Sequence, residues 1–213
     1  MPVEILVLGS VEGQDHAEYL VKRFNEKFYQ DGFSNHDYRC VGWWEDEIWQ
    51  NGECTFNSLY EKAKELRNNG GYAIAMFSPD DVATLRGSEC CIGRDNVWLE
   101  YGLFSGILGA KQVFALIPNK GSTFGELDVS GKAKFQVSDT LPFHIPSDMG
   151  GMHKAYYRFI TPYRRNDDSM ENSLNKEIDK IYNKIKPKSQ KQFGSECIMS
   201  EKQFANNGFA KVR

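Results

Sequence analysis

The sequence contains no run of about 18 apolar residues, the length a helix needs to span a bilayer. Its N-terminus lacks a charged lead followed by an apolar stretch, so no signal peptide is expected. It has no basic excess either: 26 Lys and Arg stand against 29 Asp and Glu, a net charge of −3. A nucleic-acid binder normally carries a basic face. The one basic-leaning stretch, Lys180 to Lys191, is interspersed with Asn and Ser and reads as a solvated helix end and tail. Histidine is scarce, and His16, His36, His144 and His153 show no helical metal-ligand spacing. The five cysteines, Cys40, Cys54, Cys90, Cys91 and Cys197, are odd in number and match no zinc pattern. A reduced, cytoplasmic protein without metal is the simplest reading. Neither a GxGxxG fingerprint nor a P-loop occurs. No Ser/His/Asp or Cys/His arrangement emerges from residue order.

What is present suits one globular α/β domain. The chain has 213 residues, 40% of them hydrophobic, enough for a substantial core. Aromatics reach 13%, more than a minimal core needs, so some are expected to line a ligand surface. Glu4 to Leu8 is a short apolar run ending at Gly9-Ser10. Ala17, Leu20, Val21, Phe24 and Phe28 then recur at helical spacing. Tyr38 to Trp44 reads as a second strand and Thr55 to Leu66 as a second helix, stopped at Asn69-Gly70-Gly71. Tyr72 to Phe77 is an uninterrupted apolar strand, as in the middle of a sheet covered on both faces. A polar loop from Ala83 to Gly93 leads to an apolar helix through Val97 to Leu108, and Gln112 to Ile117 is a fourth strand. Asn119 to Leu141 has poor periodicity and reads as an insertion or mobile surface segment. Lys154 to Ile160 is a candidate last strand. Asn166 to Ile185 is a closing helix with Asp167, Asp168 and Ser169 as candidate caps. The domain is expected over residues 1–187, with 188–213 a flexible tail.

Alternating strands and helices imply a parallel sheet with helices on both faces, whose ligands sit outside the C-terminal strand ends at a topological switch point. That rule selects the loops Gly9 to Asp15, Trp43 to Glu53, Ser78 to Asn96 and the segment after Ile117. Glu100 is the sharpest candidate, a carboxylate near the start of a mostly apolar helix. Burial there is costly without partners, and Arg94 and Asn96 lie just upstream. The alternative is a polar-stripe residue paired with Arg94. Ser78-Pro79-Asp80-Asp81 can face a ribose or start a helix with acidic caps. Gly9-Ser10 can meet a phosphate or simply turn the chain into a helix. Trp43, Trp44 and Trp49 can stack on a base or anchor their loop.

The run from Phe77 to Val82 (FSPDDV), then Arg94 to Phe104 (RDNVWLEYGLF), then Gly106 and Leu108-Gly109, closely resembles bacterial TIR-like nucleotide-binding domains, the kind fused to STING-type receptors in antiphage defence. Leu8 to Gly13 resembles the family's first loop and His144 to Asp148 a later segment. The likeness covers roughly residues 3–185. It implies a flavodoxin-like sheet and NAD glycohydrolase activity, with Glu100 as the essential carboxylate. By the same resemblance, Arg94 and Asn96 position the loop or substrate, Ser10 and Asp81 contact ribose or phosphate, and Trp44 stacks on a ring. NAD is then a substrate and no cofactor or metal is required. Related enzymes act as assemblies, so a homo-oligomer on activation and a separate sensor protein are expected partners, without nucleic acid or membrane. Two other readings stay open: a nucleoside 2-deoxyribosyltransferase-like enzyme, and a non-catalytic nucleotide-binding or TIR interaction module.

Overall fold

The computed structural model describes residues 1–45, 55–147, 153–161, 163 and 167–186. Five strands form one parallel sheet: β1 (Val3–Gly9), β2 (Tyr38–Gly42), β3 (Tyr72–Met76), β6 (Val113–Pro118) and β9 (His153–Tyr157), in the order β2-β1-β3-β6-β9. Apart from Glu4, the inner strands are apolar because both faces are covered. From Glu4 to Gly9 every residue of β1 is buried, and β6 is buried along its whole length. Leu6, Leu8, Ala73, Ala75, Val113 and Ala115 meet helices α2 (Thr55–Asn68) and α3 (Asp95–Leu108), through Leu59, Ala63, Val97, Tyr101 and Phe104. The alternate residues Ile5, Val7, Ile74, Met76 and Leu116 are equally buried, as period-two alternation requires of a covered second face.

Helices α1 (Gln14–Gln30) and α4 (Asp168–Ile185) pair through Tyr19, whose hydroxyl exchanges hydrogen bonds with the Asn175 amide, and through the tilted rings of Phe24 and Tyr182. Asp167 caps α4 as its position suggested, its carboxylate accepting from the backbone N–H groups of Ser169 and Met170. The flavodoxin-like α/β arrangement expected from the sequence is therefore the observed one.

One expectation is corrected, and a second gains detail. The stretch Ala83 to Gly93 is not an irregular loop: β4 (Asp81–Leu85) and β5 (Ser88–Ile92) form an antiparallel hairpin. Its turn is Arg86-Gly87, both at positive φ (53° and 81°), the geometry of a two-residue hairpin turn that follows strand twist. Asn119 to Leu141, read as an insertion or mobile surface segment, has regular structure of its own. It contains the hairpin β7 (Thr123–Leu127) and β8 (Ala133–Gln136), in which Phe124 stacks on Phe135 across the strands. Gly125, at φ 86°, marks a bulge, and the Phe135 ring covers the space its side chain would occupy. Ser122 is fully buried beside this hairpin, its hydroxyl accepting from the Phe159 N–H.

No helix among the described residues is long and apolar enough to cross a membrane. The proposed tail, 188–213, lies outside the described residues, as does Trp49.

Candidate functional site

The chain leaves β1 toward β2 on one side of the sheet and returns to β3 on the other. The switch point therefore lies between the C-terminal ends of β1 and β3, where Gly9 is registered against Met76. Gly9 suits this close approach, since a Cβ there would lie 3.3 Å from the Met76 carbonyl oxygen. A cleft of about 340 Å³ opens at this point. Its walls are Gly9 to Glu12 after β1, Trp43 after β2, and Arg94, Asn96 and Glu100 around the start of α3. A larger cleft of about 610 Å³ beside β5 is lined mostly by the hairpin and residues 142–147. The smaller cleft has the stronger claim because functional groups from three strand ends converge in it.

Glu100 is half-buried in the cleft wall. Burial pushes its carboxyl up to about 7, and a hydrogen bond from the Asn96 side chain only partly offsets that. The two residues sit four apart on one helix face, the spacing that lets side chains meet. The alternative partner is engaged elsewhere: Arg94 contacts Glu12 at 2.5 Å and Asp81 at 3.0 Å. Glu100 is thus a carboxyl raised to about 7 by burial, with no cation beside it among the described residues. Glu12 behaves oppositely. Burial raises it, but the Arg94 hydrogen bond and charge outweigh that and hold it below the usual carboxylate range.

Beneath the cleft lies a second polar group. The Ser10 and Ser78 hydroxyls are 2.6 Å apart, and Ser78 donates to Asp80 at 2.6 Å. The other Asp80 oxygen accepts the Arg94 backbone N–H at 2.9 Å. Burial pushes Asp80 up to about 6 against these hydrogen bonds, and the Glu12 charge adds to the rise. Ser78 to Asp81 does not start a helix; Asp81 opens β4 instead.

Of the six residues singled out from the sequence, the structure brings Ser10, Arg94, Asn96 and Glu100 to one cleft. Asp81 reaches it only through its ion pair with Arg94. Trp44 is not on the cleft wall: its ring folds over Gly42 and meets Trp43 edge-on, and Trp43 is the indole at the cleft. Sequence reasoning passed over Glu12 and gave Asp80 no partner. A glutamate in the first strand-to-helix turn was the available signal for Glu12, whereas Asp80 is recognisable only once the Arg94 backbone is placed. Among the described residues no cluster of three or more His, Cys, Asp or Glu could hold a metal ion.

A 2-1-3 strand order with a half-buried glutamate on the helix that follows β3 and its hairpin fits a TIR-like domain. The family model described as "CAP12/Pycsar effector protein, TIR domain" matches residues 29–139. The chain belongs to that family. It is 29% identical over 156 residues to the Pycsar effector protein PaPycTIR of Pseudomonas aeruginosa, covering 72% of this chain and 42% of that one. It is likewise 29% identical over 179 residues to the CD-NTase-associated protein 12 of Lachnospiraceae bacterium strain RUG226, covering 83% and 45%. The chain spans less than half the length of these curated relatives.

Proposed function

We propose that this domain is an NAD glycohydrolase of an antiphage effector. The observation that carries the reading is Glu100, a carboxyl raised to about 7 in a cleft at the switch point of the sheet. In the reaction, the bond between the ribose anomeric carbon and the nicotinamide nitrogen breaks. Its electron pair goes to the nicotinamide ring, which leaves neutral, so no strong general acid is required. The anomeric carbon gains oxocarbenium character, which a carboxylate stabilises far better in a partly desolvated cleft than in water. Water then adds to that carbon and loses a proton, giving ADP-ribose; attack from within the substrate would give a cyclised form.

Asn96, bonded to Glu100, fixes the carboxylate rotamer. Arg94 is the group suited to the diphosphate, and Ser10 with the backbone after β1 faces the same cleft. Trp43 replaces Trp44 as the indole that can lie against a ring. The relatives' names, an effector protein and a CD-NTase-associated protein, support an effector role beside a partner protein; assembly as the trigger is part of the proposal. The reading also places the domain in the cytoplasm.

The test is to incubate concentrated protein with NAD beside Glu100→Gln and follow free nicotinamide by chromatography. Release by the wild type, reduced at least a hundredfold in the variant, is expected. Equal release from both proteins refutes the assignment of Glu100. No release from folded wild-type protein, even when crowding forces self-association, supports the interaction-module reading instead.

A further inference from the structure

The N-cap of α3 is Arg94, in extended conformation (φ −59°, ψ 138°) and with no side-chain cap of its own. Arginine is a poor N-cap, since its side chain has no acceptor. A capping box would normally use a Glu or Gln three residues on to bind the N-cap N–H. That position is Val97, which is buried and apolar. The function missing from the helix is supplied from another strand end: Asp80 accepts the Arg94 N–H at 2.9 Å. Its second oxygen takes the Ser78 hydroxyl at 2.6 Å, and Ser10 lies 2.6 Å from Ser78 and 3.2 Å from Asp80. A hydroxyl has one proton, so the chain runs from Ser10 to Ser78 to the carboxylate. One side chain thus joins the loop after β1, the loop after β3 and the first turn of α3.

We propose that Asp80 is a positioning residue for the active site, an N-cap acceptor supplied across the fold that holds Asn96 and Glu100 over the cleft. The proposal rests on the glycohydrolase reading for its catalytic consequence, but not for its structural one. Ionised Asp80 has acceptors on both oxygens. Its protonated form, or an Asn, presents a donor on one side, which opposes either the Arg94 N–H or the Ser78 hydroxyl. The groups that face it are Glu12 from the turn after β1, Arg94 from α3, and the buried Tyr157 hydroxyl from β9, which donates to the Phe77 carbonyl.

The test is Asp80→Asn in the full chain, read in two ways. First, amide hydrogen exchange is followed residue by residue at pH 7.5. Exchange at the Arg94 and Val97 amides should speed up at least tenfold, while amides of β1 and β6 keep their protection. Second, nicotinamide release should lose at least tenfold in kcat with KM within threefold. On the acid side of the wild-type profile, log rate should fall with a slope above one where Asp80 and Glu100 both protonate. In Asp80→Asn the slope should be one. Ser78→Ala, which removes the relay but keeps the titrating carboxylate, should show the same exchange and kcat changes in smaller measure and serves if Asp80→Asn does not fold. Unchanged exchange at Arg94 in a folded variant overturns the proposal whatever the activity. So does a wild-type acid slope of one. If the wild type releases no nicotinamide, the glycohydrolase reading fails and the exchange experiment alone decides for or against Asp80.

Discussion

The burial that suits Glu100 to chemistry should cost the fold stability, and the cost has a definite pH signature. Its carboxyl stands at about 7 when folded against an ordinary 4.5. The folded state therefore binds a proton more tightly than the unfolded chain, and stability falls as pH rises from about 4.5 to about 7, then stays level. The full shift corresponds to roughly 3 kcal/mol. Glu100 is only half-buried, so solvent screening reduces this to about 1–2 kcal/mol. Glu100→Gln keeps the shape and cannot ionise. It should be more stable than wild type by that amount at pH 8, and equal to it at pH 4. For a domain of this size the gain is roughly 3–6 °C in Tm. Urea unfolding of both proteins at the two pH values measures the difference, and the wild-type-minus-variant comparison removes every other titrating group. A variant less stable than wild type at pH 8, or an equal gap at both pH values, would refute the reasoning.

Other perturbations follow from single contacts. Gly71→Ala should lose about 1–3 kcal/mol by urea unfolding, because the new Cβ would lie 2.7 Å from the Glu4 carbonyl oxygen and 2.9 Å from Leu66. Lys62→Ala should lose about 3 kcal/mol, since the buried Glu4 carboxylate would keep Arg39 but lose its 2.6 Å contact with the Lys62 ammonium. Replacing Glu4 and Lys62 together by Leu and Met should recover part of that loss; no recovery would show that the ion pair was not the cause. Tyr157→Phe should cost about 1–2 kcal/mol, as the buried Phe77 carbonyl loses its 2.8 Å hydroxyl donor. Thermal unfolding of the variant unchanged from wild type would refute that bond's contribution.

The parallel sheet was legible because its signal is redundant. Runs such as Tyr72 to Phe77 are apolar without interruption, and Gly9 and Gly70-Gly71 punctuate them. The two hairpins were not legible, for a physical reason. Their strands are largely exposed, with a mixed burial pattern that leaves little hydrophobic period to read. Their turns use Arg86-Gly87 and Asp128 to Gly131 rather than an Asn-Gly pair. Asp128 builds its turn by accepting from Ser130 and Lys132, a local device invisible to periodicity. At the site, Glu100 stood out as a carboxylate in an apolar helix, but spacing alone left a polar-stripe role open and the family resemblance made the choice. The choice between Trp43 and Trp44 was not, because adjacent residues point to opposite sides and only the backbone path after β2 decides which faces the cleft. Asp80 reads like any helix cap, and its actual partner lies fourteen residues on, across the intervening hairpin.

The raised Glu100 carboxyl poses a question for the proposed reaction, since a protonated acid stabilises no cation. The resolution lies in the charge of the substrate. A unit positive charge about 4 Å from a carboxylate, at the effective dielectric of a protein surface, is worth roughly 4 kcal/mol. That exceeds the roughly 1–2 kcal/mol by which burial, after solvent screening, disfavours ionisation. The nicotinamide cation should therefore draw Glu100 into its ionised form on binding, and the oxocarbenium charge that follows keeps it there. The acid limb of kcat/KM reports the free enzyme, and that of kcat the complex. The Glu100 limb should thus lie near 7 in kcat/KM and at least one pH unit lower in kcat. A substrate whose base is uncharged, such as reduced NAD or a deoxynucleoside, cannot produce that displacement. Steady-state profiles from pH 5 to 9 decide the matter: coincident limbs would mean that no cation reaches Glu100, and the carboxylate would have to act on the ribose hydroxyls instead.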